Sequence, residues 1–299
     1  MSAQILDGKK VAAEIREELK PRIAYLTEQG CQPGIAVILV GDDPASQIYV
    51  RNKERTCERL GIYSIQHRLP SNTPQEEVIE LVKNLNWDER IHGILVQLPL
   101  PPHIQEREVL YHVSPEKDVD GFHPYNLGRL MIGDAVFLPC TPWGVQELLL
   151  RYNLSPEGKN VVIVGRSNIV GKPLAMMLVQ KGRGANATVS VCHTGTRNLS
   201  TYTRMADILV AACGSPRLIT PDMVKKGAVV VDVGINRVGD KTVGDVDFEG
   251  VREVASYISP VPGGVGPMTI AMLMANTVKA AERAWGRKSA QEEKEQFYW

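Results

Sequence analysis

The stretch from Val161 to Leu174 constrains the fold more than any other part of this sequence of 299 residues. Four β-branched residues, ending at Val164, run into Gly165, which is typical of a buried parallel strand followed by a tight turn. Pro173 then fits the first turn of a helix, where its missing N–H costs nothing. The stretch therefore predicts an anion-binding corner, because the free N–H groups and the dipole of the helix point at the turn.

Helical and strand-like patterns alternate along most of the chain, which predicts parallel βαβ units and an α/β fold. Prolines are dense between residues 99 and 142, which favours connections rather than regular elements there. The predicted helices are residues 11–28, 45–60 (closing at Gly61), 74–86, 143–151 and 267–285, and the predicted strands are residues 35–40, 63–69, 94–98, 160–165, 187–192, 208–213 and 228–233.

Charge and composition argue against several classes of partner. The formal net charge is zero, with 34 basic and 34 acidic residues, so no basic surface for nucleic acid or an anionic membrane is indicated. No apolar run approaches the roughly 20 residues that a membrane helix needs, and the first ten residues contain no apolar signal core. The five dispersed cysteines show neither zinc spacing nor a disulfide framework. We therefore expect a cytoplasmic protein with a small-molecule partner.

The turn after the strand at 160–165 departs from the common dinucleotide fingerprint Gly-x-Gly-x-x-Gly, because Ser167 replaces the middle glycine. On its own, a glycine after a strand is more often a simple turn. The next strand is followed by His193 and Thr194, without the carboxylate that usually binds the ribose of NAD. Arg166 and the hydroxyl groups of Ser167 and Thr194 suit a 2′-phosphate, so NADP is favoured over NAD. A solvated surface arginine remains the alternative for Arg166.

A tyrosine and a lysine share one face of the predicted helix 45–60. Tyr49 and Lys53 are four residues apart. The helix follows a buried strand, so it starts at the strand's carboxyl end, where open α/β sheets bind ligands. Gln97 stands at the carboxyl end of another apolar strand. This arrangement suits a lysine acid or base with a stacking tyrosine, although most such pairs are surface residues.

Two further segments carry polar or glycine-rich patterns. Asp118 and Asp120 precede Gly121 and could bind a metal or make a turn; we favour the turn, or pairing of a carboxylate with a heterocycle, and expect no metal. Residues 259–269 are rich in glycine and proline and lead into a helix, which permits close approach of the backbone to a ligand.

Taken together, these motifs resemble the bifunctional methylenetetrahydrofolate dehydrogenase/methenyltetrahydrofolate cyclohydrolase family. The resemblance runs from about residue 5 to residue 285, and six motifs in the same order make it specific. The segments that carry it are Tyr49 with Lys53, residues 96–101, 117–121, 139–142, 164–173 and 262–269.

The resemblance implies oxidation of 5,10-methylenetetrahydrofolate by NADP, followed by hydrolysis of the methenyl product to 10-formyltetrahydrofolate. It implies a lysine acid–base group at Lys53, tuned by Gln97, with Tyr49 packing on the folate and Asp120 holding the pterin; these four are the expected catalytic residues. The other expected substrate-binding residues are Val96, Leu98, Pro262, Gly263, Gly264, Val265 and Gly266. The expected cofactor-binding residues are Gly165, Arg166, Ser167, Thr194 and Ile235.

The family also implies two α/β domains flanking a cleft, the second one Rossmann-like, and a homodimer. We expect a folate-binding catalytic domain formed by residues 1–142 and 268–299, and an NADP-binding domain formed by residues 143–267. The charged tail, residues 286–299, receives no function.

Two departures and two rival functions stay open at this point. The link at 181–186 is longer than is usual in the family. Thr194 and Gly195 stand where the family often has a serine and a basic residue, which weakens the predicted preference for NADP over NAD. A dehydrogenase of a small amino or hydroxy acid would need a carboxylate clamp that we do not identify. A nucleotide-sensing module would leave Tyr49 and Lys53 without a task.

Overall fold

The computed structural model describes residues 2–296, except for the side chains of Ala45 and of residues 289–296. The chain divides into two compact units. Unit 1 comprises the residues up to Glu14 together with Arg129–Met272, and unit 2 comprises Ile15–Gly128 together with the residues from Leu273 onward. The sequence-predicted domains divide instead at 142/143 and 267/268.

The bounds of the regular elements follow in chain order. The strands are β1 (Gln4–Ile5), β2 (Gly34–Val40), β3 (Tyr63–Leu69), β4 (Gly93–Val96), β5 (Asn160–Val164), β6 (Thr188–Cys192), β7 (Ile208–Ala211), β8 (Val229–Asp232), β9 (Asn236–Val238), β10 (Lys241–Val243) and β11 (Tyr257–Ile258). The helices are α1 (Gly8–Glu28), α2 (Pro44–Leu60), α3 (Gln75–Trp87), α4 (Glu106–Tyr111), α5 (Pro124–Met131), α6 (Cys140–Arg151), α7 (Gly171–Leu178), α8 (Leu199–Thr203), α9 (Phe248–Arg252) and α10 (Val265–Gln296).

Unit 2 contains a parallel three-stranded sheet in the order β3-β2-β4. Every residue of β2 and β4 is buried, as expected for strands covered on both faces. One face packs on a core that includes Val78 and Val82 of α3 and Ile104. Helix α2 follows β2 directly, so its first turns lie at the carboxyl end of the sheet.

Unit 1 contains a six-stranded sheet in the order β1-β11-β8-β7-β5-β6, and all of its pairings are parallel. In the sheet, β6 lies on one side of β5, and the next strand along the chain, β7, lies on the other side of β5. This reversal of strand order makes the carboxyl ends of β5 and β7 the expected ligand crevice of a doubly wound sheet.

The α/β class, with a parallel sheet and a nucleotide-binding type of topology, is confirmed. Each predicted strand exists, with ends shifted by two residues at most. The expectation of connections between residues 99 and 142 is wrong in part, because α4 and α5 form there. Their prolines do not interrupt them: α4 contains no proline, and Pro124 stands at the first position of α5, where a missing N–H is tolerated.

Candidate functional site

Lys53 lies in α2 with its side chain almost wholly buried, at 8% exposure. The helix is held at its start by Asp43, whose carboxylate accepts from the Ser46 N–H at 2.7 Å, and by Pro44 in the first turn. It ends at Gly61, as predicted, in the left-handed conformation that glycine favours. These two ends fix the turn of helix that carries Lys53.

The Lys53 ammonium meets the amide that follows β4. Lys53 Nζ donates to Gln97 Oε1 at 2.8 Å. Gln97 Nε2 in turn donates to the carbonyl of Leu98 at 2.7 Å, which fixes the orientation of the amide with its oxygen towards the lysine. The sequence placed the start of the Lys53 helix and Gln97 each at the carboxyl end of a strand, and inside unit 2 their side chains form one hydrogen bond.

Tyr49 stands one turn before Lys53 and is half-buried. Burial raises the pKa of the Tyr49 hydroxyl, so the phenol stays neutral and can donate a hydrogen bond. Val96 is buried at the end of β4, and Leu98 is half-buried beside it. The group offers one amine, one neutral phenol and apolar surface, which suits acid–base work on a flat ligand.

The two carboxylates at 118 and 120 have different surroundings. Asp118 is buried and accepts from the N–H groups of Phe122 and His123 and from Asn126 Nδ2, at 2.8–3.1 Å. Burial raises the pKa of Asp118, opposed by these hydrogen bonds. Asp118 thus makes the turn and holds the start of α5, whereas Asp120 is the more exposed of the two. The described residues contain no group of three or more His, Cys, Asp or Glu side chains placed to hold a metal ion.

The glycine-rich loop belongs to unit 1 and packs on the start of α1. A Cβ on Gly8 would lie 1.8 Å from the carbonyl oxygen of Gly264, so only glycine fits at position 8. The Lys9 N–H donates to the Gly263 carbonyl at 3.2 Å. Gly263, Gly264 and Val265 are buried, Gly266 is half-buried, and Pro262 is exposed. Close packing thus explains Gly8 and Gly264, and the positive φ of 116° explains Gly263, whereas an added Cβ on Gly266 would meet nothing within 4 Å.

The turn after β5 has the geometry of a dinucleotide corner. Gly165 has a φ of +135°, and a Cβ there would lie 2.0 Å from the Ala212 carbonyl oxygen after β7. A Cβ on Gly171, the first residue of α7, would lie 2.1 Å from the Gly165 oxygen. The backbones of the two crevice loops therefore touch. Ser167 Oγ accepts from the Val170 N–H at 3.1 Å and keeps its own hydrogen available for a ligand.

The predicted cofactor side chains are accessible in this crevice region of unit 1. Arg166, Ser167 and Thr194 are exposed, and Ile235 is 52% exposed. Within residues 2–296, the Arg166 guanidinium has no protein hydrogen bond or ion pair. The turn after β6 contains no carboxylate, which fits a phosphorylated ribose better than a plain one. The residues present thus fit NADP.

A separate cavity of about 1210 Å³ lies at the opposite, amino end of the sheet of unit 2. It contains a thiol and an imidazole, with Cys31 Sγ 3.5 Å from His92 Nε2. His92 Nδ1 accepts from the Gly34 N–H, and burial lowers the pKa of His92 to about 4. Burial also raises the pKa of Cys31. Both groups are therefore neutral near pH 7, and this pair is not an activated nucleophile.

Sequence reasoning missed two buried carboxylates in unit 1, Asp232 and Asp245, whose exposures are 3% and 0%. Asp232 is the next-to-last residue of the predicted strand 228–233 and the last residue of β8, and an acidic residue at the carboxyl end of a buried strand was the available signal. Asp245 follows an exposed hairpin and carried no such signal.

Comparison with known proteins places the chain among folate enzymes. Residues 6–120 match the family model described as tetrahydrofolate dehydrogenase/cyclohydrolase, catalytic domain, and residues 139–285 match the NAD(P)-binding domain of the same family. The bifunctional protein FolD of Moorella thermoacetica is 60% identical over 284 residues, covering 95% of this chain and all of that protein.

Solved structures agree with the sequence comparison. The bifunctional methylenetetrahydrofolate dehydrogenase/cyclohydrolase of Campylobacter jejuni is 54% identical, with a TM-score of 0.91 over 94% of this chain and 99% of that one. The enzyme of Trypanosoma brucei, solved with NADP cofactor and an inhibitor, is 40% identical with a TM-score of 0.90, over 95% of this chain and 98% of that one.

Proposed function

The chain belongs to the tetrahydrofolate dehydrogenase/cyclohydrolase family, and from this premise we propose how its residues carry out the two reactions. It is a bifunctional enzyme of folate one-carbon metabolism that uses NADP. The dehydrogenase oxidises 5,10-methylenetetrahydrofolate to the methenyl cation, and the cyclohydrolase converts that cation with water to 10-formyltetrahydrofolate. The observation that carries the residue assignment is the buried contact of Lys53 Nζ with Gln97 Oε1 at 2.8 Å.

For the dehydrogenase, bound NADP supplies the hydride acceptor. The chain's own contribution is to bind and orient the folate, which matters because hydride transfer depends on alignment of donor and acceptor. Tyr49 stacks on the flat ring, with Val96 and Leu98 providing apolar surface beside it. Asp120 accepts hydrogen bonds from the amino and ring N–H groups of the pterin.

For the cyclohydrolase, Lys53 is the general acid–base residue. Water adds to the electrophilic methenyl carbon and loses one proton, which leaves a neutral carbinolamine. Its hydroxyl group then loses the second proton as the formyl C=O forms, one carbon–nitrogen bond breaks, and the released nitrogen gains a proton. The net reaction consumes one water and releases one proton. Lys53 relays these protons while Gln97 holds its nitrogen in place. The substrate already carries the positive charge that makes its carbon electrophilic, so the reaction needs no metal activation.

The remaining residues divide between folate and cofactor. Residues Pro262, Gly263, Gly264, Val265 and Gly266 line the folate site. Arg166, Ser167 and Thr194 bind the 2′-phosphate and neighbouring groups of NADP, Gly165 allows the backbone to approach, and Ile235 contacts the cofactor. This division assigns residues 1–142 and 268–299 to the folate-binding catalytic domain and residues 143–267 to NADP binding.

The alternative of a small amino- or hydroxy-acid dehydrogenase is not favoured. Relatives 54–60% identical over nearly the whole chain are folate enzymes. A nucleotide-sensing module would also leave the buried Lys53–Gln97 contact without a role.

We also propose that the protein is a cytoplasmic homodimer. All five cysteines are free, which fits a reducing compartment. No helix of the described residues is long and apolar enough to cross a membrane. Light scattering of the purified protein at micromolar concentration tests the dimer, and a mass equal to a single 33.0 kDa chain would contradict it.

Lys53→Met tests the catalytic assignment. We expect hydrolysis of methenyltetrahydrofolate, followed by its absorbance, to fall by at least about 100-fold, because a positioned acid–base group is worth 10²–10⁴. NADPH binding, measured by fluorescence, stays unchanged.

Lys20→Met is the matched control. Lys20 is an exposed lysine of α1 that pairs with Glu17 in the same unit, so its loss leaves both activities intact. Normal hydrolysis by Lys53→Met would remove the lysine from the mechanism. If the unaltered protein neither oxidised methylenetetrahydrofolate nor hydrolysed methenyltetrahydrofolate, the proposed function itself would be wrong.

A further inference from the structure

Asp245 accepts four hydrogen bonds although its side chain is completely buried. Its Oδ2 accepts from the N–H groups of Cys213 at 2.6 Å and Gly214 at 2.9 Å. Its Oδ1 accepts from the N–H of Ser215 at 2.9 Å and from Asn236 Nδ2 at 2.8 Å. One carboxylate therefore joins the loop after β7 to the first residue of β9.

Asp232 makes the second half of this arrangement. Its carboxylate accepts from the N–H groups of Gly234, Asp245 and Val246 at 2.9–3.0 Å. The backbone N–H of Asp232 donates to Ser259 Oγ at 2.8 Å. Asp232 thus holds both the residue after β8 and the chain that returns from the β9–β10 hairpin.

Two glycines let the carboxylates approach the backbone. A Cβ on Gly234 would lie 2.3 Å from Asp245 Oδ1, and a Cβ on Gly244 would lie 1.8 Å from Asp232 Oδ2. Neither glycine has a positive φ, so the missing side chain itself is what the arrangement requires.

Ile235 is the exposed residue between these attachments. The N–H of Gly234, the residue before it, donates to Asp232 Oδ1, and the side chain of Asn236, the residue after it, donates to Asp245 Oδ1. Its own side chain remains half exposed. The loop 213–215, also held by Asp245, follows β7 at the crevice where Gly165 touches the Ala212 oxygen. Both attached segments therefore border the second mononucleotide-binding half of the sheet, which comprises β7 and β8.

We propose that Asp245, supported by Asp232, is a positioning residue that sets the surface on which the nicotinamide half of NADP binds. The inference rests on the proposed function, since it assigns these residues a part in the NADP site. Asp245 does not touch the cofactor itself: it acts through the 213–215 backbone and through Asn236, which places Ile235.

Only a carboxylate satisfies the four donors. An asparagine at 245 would turn an NH₂ group towards two existing donors, whichever way the amide is placed, and would leave those buried groups unpaired. The loop or the hairpin would then shift, and the nicotinamide surface with it.

Asn236→Ala is the milder test, because it removes one donor and leaves the buried carboxylate three backbone N–H groups. We expect the Kd for NADPH, measured by fluorescence titration, to rise about three- to tenfold, as for the loss of one ordinary intramolecular hydrogen bond, because Asn236 acts on the cofactor only through the position of Ile235. The Kd for NADH rises by the same factor, since the 2′-phosphate lies on the other half of the sheet. Hydrolysis of methenyltetrahydrofolate without nucleotide is unchanged. Asp245→Asn shows the same pattern with a larger change.

Asp207→Asn is the matched control for a structural effect. Asp207 accepts from the Asn160 N–H and Lys225 Nζ at the amino end of the same sheet. Asp207→Asn should lower the melting temperature without altering the Kd for NADPH or for NADH. Unchanged Kd values for both nucleotides in a folded Asn236→Ala protein would overturn the proposal, as would a loss confined to NADPH. These binding measurements do not depend on turnover, so they remain decisive even if the unaltered enzyme acts on another substrate.

Discussion

At the scale of single residues, Lys53 and Asp118 show how the surroundings of a side chain decide what it can do. Lys53 is almost wholly buried and donates to the amide oxygen of Gln97, so its amine is held at a defined place. Asp118 is equally buried but accepts two backbone N–H groups and Asn126, so its lone pairs are already used in holding a turn. Residue type and spacing alone could not show that Asp118 is the carboxylate that holds the turn; its burial and its hydrogen bonds show it.

Arg166→Ala should weaken NADPH binding by about 1.5–3 kcal/mol and NADH binding far less, because a charged hydrogen bond to the 2′-phosphate is lost. Fluorescence titration with both nucleotides measures the difference. Arg183→Ala, an exposed arginine of the same unit, is the control and should change neither affinity. Equal losses for the two nucleotides would assign Arg166 to another part of the cofactor.

At the scale of elements, the buried strands were predictable because each is an unbroken apolar run ending at a glycine or a polar residue. The antiparallel hairpin β9–β10 was missed because its residues are mostly exposed and show no apolar alternation, although Gly239 and Asp240 form a two-residue turn signal. The two-residue strands β1 and β11 are too short for any periodicity, and only tertiary pairing defines them. The Lys53–Gln97 contact was predictable because both residues follow buried strands at their carboxyl ends. The Asp245 contacts were not, because Asp245 follows an exposed hairpin that the sequence pattern did not predict.

Two helical glycines should respond oppositely to alanine. Gly128 in α5 has open space around a new Cβ, so Gly128→Ala should stabilise the protein by about 0.5–1 kcal/mol through the lower entropy of the unfolded chain. In α6, a Cβ on Gly144 would lie 2.9 Å from Met268 Cβ, so Gly144→Ala should destabilise by about 1–3 kcal/mol. Melting temperatures of the two variants measure the contrast. A rise for Gly144→Ala would mean that the α6 contact relaxes freely.

At the scale of the whole molecule, two buried groups in different units should respond to acid in opposite directions. His92 in unit 2 has a pKa lowered to about 4 by burial, so its contribution to stability is present above pH 6.5 and is lost as the pH falls towards 4. Asp232 in unit 1 has a pKa raised to about 7, chiefly by burial, so it favours the folded state below pH 3.8 and loses that contribution as the pH rises through 7.

Between pH 7.5 and pH 5, the titration of His92 should therefore lower the opening free energy of β4 by about 2 kcal/mol, relative to a variant without the imidazole, and the titration of Asp232 should raise that of β8 by about 2–3 kcal/mol. Hydrogen exchange, corrected for the intrinsic rate, measures both strands in one experiment. His92→Gln should abolish the loss in β4 and leave β8 unchanged. A parallel fall in both strands would contradict the opposed titration.

The pairing of β1 with β11 and the seating of Gly264 against Gly8 set an order of events during protein synthesis. The first strand leaves the ribosome early, yet its neighbour in the sheet is about 250 residues away along the chain. Unit 2 has most of its sequence available long before then, since β2, β3 and β4 lie within the first hundred residues. The nascent chain must therefore carry an unpaired N-terminal strand until translation is nearly complete.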